Sequence, residues 1–168
     1  VYKTAMLVWI LAGLAVAIVP FILVALNAQR KYRPLFDDTH LVEVAELLAR
    51  LKVEARERGS SSAISSHDLA LTWDATRQEL ALSHRDGKLH QAAGAFLAHF
   101  AVALLAPPED AEVRYVKAHG RYVVRLALPE DAAAGFGATA VTVPAIEELP
   151  PLRARAADAM RGTRFESA

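Results

Sequence analysis

Residues Gln91–Ala106 read QAAGAFLAHFAVALLA, and whether they form a helix or a strand decides the fold. Alanine is the strongest helix former, and the run is longer than an ordinary strand of about five or six residues. It is too short to cross a bilayer, and it carries His99. The reading is a buried helix ended by Pro107-Pro108. The alternative is a core strand built on Phe96, Ala98, Phe100, Val102 and Leu104.

Alternating segments flank this run on both sides. Before it, Leu69, Leu71 and Trp73 share a face, and Leu80 and Leu82 repeat the pattern after Asp74-Ala75-Thr76-Arg77. Asp86-Gly87 marks a further turn. After it, Val113 and Tyr115 alternate with Arg114 and Lys117, and the chain turns at His119-Gly120. Tyr122, Val124, Leu126 and Leu128 then alternate with Val123, Arg125 and Ala127. Each flank reads as a hairpin.

Farther towards the N-terminus, Asp37 or Asp38 offers a cap for a helix over His40–Arg58. Leu41, Val44, Leu48, Leu51 and Ala55 form one apolar stripe, and Glu46/Arg50 and Glu54/Arg58 are favourable pairs four residues apart. Gly59 and the serine run Ser60-Ser61-Ser62 end this helix. The stripe either packs on the domain's own sheet or forms a seam with a partner or a second copy of the chain.

The element order helix, hairpin, helix, hairpin predicts an α+β domain, with two helices on one face of a four-stranded antiparallel sheet. The alternative is a β-sandwich. The predicted division is a transmembrane helix over 4–29, a juxtamembrane amphipathic helix over 30–59, a small α+β domain over 67–143, and a Pro/Ala/Arg tail over 144–168.

The transmembrane expectation rests on Ala5–Leu26, which is apolar, with no charge between Thr4 and Gln29. A helix of that length extends about 33 Å, against about 30 Å of hydrocarbon. Tyr2, Trp9 and Tyr32 stand near its ends, followed by Arg30, Lys31 and Arg33, and Pro34 stops any continuation. The run is too long for a cleaved signal h-region, and Leu26-Asn27-Ala28 makes a poor cleavage site. Gly13, Ala17 and Pro20 provide low bulk and a freed carbonyl for a packing partner. The expected location is a membrane, as a single-pass protein of a bacterial inner membrane, with either side open to the soluble domain.

The order of elements resembles the permuted ferredoxin-like domains of membrane-anchored pilus and secretion scaffolds, such as PilO and the secretion M subunits. That resemblance implies a scaffold role. Asp110, Gly120-Arg121-Tyr122-Val123-Val124-Arg125-Leu126 and Pro129 resemble the last strands of the FixH proteins. These are anchored accessory proteins of cytochrome oxidases, and the likeness implies an oxidase assembly factor with an exported sandwich. Phe136 stands about where that family often carries tryptophan, and its paired tyrosines after the anchor are absent here.

Nineteen basic and nineteen acidic side chains cancel, which argues against a nucleic-acid partner. With no cysteine, disulfides and thiolate chemistry are excluded. Six histidines invite a metal reading. His40 and Glu43 lack a second pair, His84, Asp86 and His90 surround a turn, and His99 reads as a satisfied core histidine. His67-Asp68 and His119 fall at strand ends. Ser60–Ser66 contains no nucleophile elbow, and no phosphate loop or H-E-x-x-H motif occurs. The expectation is therefore a non-catalytic accessory or scaffold subunit with no cofactor. Its partners would be a larger integral membrane subunit and the bilayer, with self-association through the juxtamembrane helix as a further possibility. The candidate partner residues are Gly13, Ala17, Pro20, Leu41, Val44, Leu48 and Leu51. A membrane-tethered hydrolase or metal-binding protein using His84, Asp86 and His90 is the competing class.

Overall fold

Gln91–Leu105 is a helix, α3, so the strand alternative fails. The computed structural model describes residues 2–32, 37–85, 89, 91–129 and 135–168. Pro34 and the Asp86-Gly87 turn lie outside the described residues. The chain divides into two units, Val1–Leu35 and Phe36–Ala168.

In the larger unit, α2 runs over Asp38–Arg58. The Asp37 carbonyl accepts from the amides of His40 and Leu41, at 3.0 and 3.1 Å, while the Asp37 side chain makes no capping bond. Gly59 closes the helix at φ 59°, a left-handed conformation glycine adopts without a Cβ penalty, and its amide donates to the Ala55 carbonyl. Six strands follow: β1 (Ser62–Ser65), β2 (Leu69–Asp74), β3 (Glu79–His84), β4 (Glu112–Ala118), β5 (Arg121–Ala127) and β6 (Glu166–Ser167). Helix α4, Leu149–Gly162, precedes β6.

The expected four-stranded antiparallel sheet is corrected to a mixed six-stranded sheet, ordered β1-β2-β3-β5-β4-β6. The two hairpins form where the alternation predicts them. Asp74 shapes the first turn, its Oδ1 accepting from the amides of Thr76 and Arg77 at 2.9 and 3.2 Å. The hairpins join through β3 and β5, with Leu80 opposite Val124 and Leu82 opposite Tyr122. The additional strands are the edges. β1 pairs antiparallel with β2, and β6 pairs parallel with β4, placing Val116 opposite Glu166. One sheet carries the whole domain, which also removes the sandwich alternative.

Helices cover one face of this sheet. α2 packs on β1 and β2, α3 packs on β3 and β5, and α4 packs on α3. The core between these layers includes Leu48, Leu51, Leu71, Leu80, Leu97, Phe100, Tyr122 and Leu126. Gly94 admits the Tyr122 ring against α3, since a Cβ there would lie 2.1 Å from Tyr122 Cε2. On the opposite face Arg114, Arg121 and Arg125 are exposed, and Arg125 Nε donates to Glu79 Oε1 at 2.7 Å.

The smaller unit is helix α1, Tyr2–Tyr32, with Pro20 inside it. Among the described residues no helix is long and apolar enough to cross a membrane. The transmembrane expectation for residues 4–29 is corrected accordingly: the described unit is a long helix whose described side chains are exposed.

Candidate functional site

The sequence-predicted partner residues separate into two sets. Gly13, Ala17 and Pro20 are exposed on α1, and a Cβ at Gly13 would meet nothing within 4 Å. Leu41, Val44, Leu48 and Leu51 are all 0% exposed inside the domain. Their stripe packs on the domain's own sheet and α3, the first of the two readings given for it.

The histidines do not converge. Among the described residues no group of three His, Asp or Glu side chains is placed to hold a metal ion. Asp86 and His90 lie outside the described residues, while His84 ends β3. His67 Nδ1 and Asp68 Oδ1 form an exposed pair at 2.9 Å, which holds the Asp68 carboxyl below its usual value.

His99 is buried as expected but not satisfied. It is 2% exposed, and neither ring nitrogen has a hydrogen-bond partner among the described residues. Its ring lies 4.2 Å from that of Tyr115 and 5.9 Å from that of Phe165, which also meets Tyr122 edge-on at 5.0 Å. Burial lowers the His99 pKa, favouring the neutral ring, and pushes the Tyr115 hydroxyl up to about 12.

The most developed chemical site centres on Lys52. The 4-3-4-3 spacing of Leu41, Ala45, Leu48, Lys52 and Ala55 places this lysine where an apolar residue belongs, and it is 5% exposed. That misplacement was the available sequence signal, and a search for acids and histidines passes over it. Lys52 Nζ donates to Thr139 Oγ1 at 3.1 Å and lies 5.4 Å from the centre of the Phe136 ring. Phe136 in turn stacks on Trp73 at 4.1 Å, with the ring planes 13° apart. Burial depresses the Lys52 pKa.

A cavity of about 220 Å³ opens beside this lysine, walled by Leu105, Pro107, Pro108, Leu126, Leu128 and Phe136. At its rim Ala106 is held at φ 41°, a left-handed conformation uncommon for a residue with a Cβ. α2, the end of α3, the end of β5 and the 135–139 segment meet here. The geometry suits binding: one cation, one hydroxyl and apolar walls.

No known protein family, curated protein or solved structure matches this chain.

Proposed function

We propose that this protein is a non-catalytic accessory subunit, held at a membrane by the apolar surface of α1 and presenting its α/β domain to a larger integral membrane partner. One observation carries the reading. The described large apolar side chains of α1 are open to solvent, including Trp9 at 78% and Phe21 at 79%, with Met6, Val8, Val16, Leu23 and Val24. Fully burying each such side chain is worth about 1.5–3 kcal/mol, and contiguous apolar surface of this kind marks an interaction site. A lipid phase accepts such side chains without a shape-matched receptor.

The described domain supports the non-catalytic part of the reading. Many of the described polar side chains at its surface go into turns and ion pairs, such as Asp74 at its turn and Arg125–Glu79.

Flotation of the full chain with phosphatidylcholine vesicles tests attachment. The chain should rise with the vesicles, and Trp9→Asp/Phe21→Asp should leave it at the bottom of the gradient. A folded wild-type chain that stays at the bottom overturns the reading.

A further inference from the structure

Lys52 is a buried cation, and the contacts its ammonium makes among the described residues are to neutral groups. Lysine is almost never fully buried unless paired, because removing an ammonium from water without an anion is costly. Here the ammonium has three donors, and among the described residues it meets the Thr139 hydroxyl and the face of Phe136. Neither supplies negative charge. The surrounding walls are largely apolar, and the cavity gives an anion a place to enter beside the ammonium.

Size narrows the ligand. A cavity of about 150 Å³ is enough to hold benzene, whereas drug-sized and cofactor sites run from about 300 Å³ upward. At about 220 Å³ this one suits a short chain or a single ring with one polar head.

We propose that the cavity binds a small apolar monocarboxylate, with its carboxylate between Lys52 Nζ and Thr139 Oγ1 and its hydrocarbon against Leu105, Leu126, Leu128 and Phe136. The Thr139 hydroxyl accepts from Lys52 while its own hydrogen is free to donate to the carboxylate, so both groups act on the same anion. This site is independent of α1 and of membrane attachment.

Hexanoate binding to the full chain, followed by saturation-transfer NMR and equilibrium dialysis, is the test. Hexan-1-ol has a similar body without the charge, and acetate has the charge without the body. Hexanoate should bind about tenfold or more tighter than either, the value of a hydrogen-bonded charge. Lys52→Met keeps the length and volume of the side chain and should remove that advantage while leaving hexan-1-ol binding unchanged. Comparing variants also cancels any uptake by the apolar surface of α1. Ala138 also lines the cavity, and Ala138→Leu adds bulk there while leaving the ammonium in place, so it should weaken hexanoate binding at least tenfold even if Lys52→Met does not fold. Equal affinity for hexanoate and hexan-1-ol, equal affinity for hexanoate and acetate, or full hexanoate binding by a folded Lys52→Met or Ala138→Leu chain would each overturn the proposal.

Discussion

Helices α1 and α3 are built from much the same residues and meet opposite surroundings. α3 is rich in alanine and leucine, with Leu97, Phe100 and Ala101 almost wholly buried between the sheet, α2 and α4. α1 draws on the same alphabet, yet its described side chains are exposed along the helix. The difference lies in neighbours. α3 is short and enters the domain between two hairpins, so the sheet they build closes over it. α1 forms a unit of its own. Apolar composition states that a helix must be covered; it does not state by what.

The largest expected effect separates the two helices directly. Phe100→Asp puts a carboxylate at a 0% exposed site and should destabilise the domain by at least about 3–5 kcal/mol, read as a collapse of the urea midpoint. Phe21→Asp in α1 should leave that midpoint unchanged. Equal loss from both would mean the two helices share one cooperative core.

A smaller contrast uses the glycines. Gly94→Ala drives a methyl into the Tyr122 ring and should cost about 1–3 kcal/mol of domain stability by calorimetry. Gly13→Ala meets open space and should gain helix stability of up to about 1 kcal/mol. A neutral Gly94→Ala would show that the Tyr122 ring has room to move.

The smallest effect is a pH dependence that α1 cannot have, since it contains no histidine. Burial lowers the His99 pKa from its ordinary 6.5. As pH falls below 6.5 the unfolded chain therefore takes up a proton that the folded chain still refuses, and stability declines until the folded value is reached. Above 6.5 this contribution is flat. His99→Phe keeps an aromatic ring beside Tyr115, should flatten that decline, and should raise stability near neutral pH by about 1–2 kcal/mol by removing two unpartnered nitrogens. Melting at pH 7.5 and 5.5 measures both. An unchanged pH slope would place the titration elsewhere.

Local signals in the sequence carried far, and their failures are instructive. The 3-4 spacing of α2, the alanine-rich composition of α3 and the period-two alternation of both hairpins were legible because each is written within one element. The edge strands were not. Ser62–Ser65 has one large apolar residue, Ile64, and reads as the end of a helix, while Glu166–Ser167 is too short to have a period. Both exist because a neighbouring strand offers free backbone groups, at Leu71 for β1 and at Val116 and Lys117 for β6.

The candidate site divides the same way. A lysine on an apolar stripe is visible in the sequence, but its cavity is assembled from segments as distant as Lys52, Leu126 and Thr139. His99 was identifiable as a core residue, whereas its idle nitrogens follow from the nearby Tyr115 and Phe165 rings. The amino-acid sequence by itself determined α2, α3 and the two central hairpins and which of their faces must leave water, since periodicity and hydropathy are local. Tertiary structure alone decided what each face meets, because strand pairing at the edges, the burial of the Leu41–Leu51 stripe and the surroundings of the Lys52 charge depend on groups far apart in the chain.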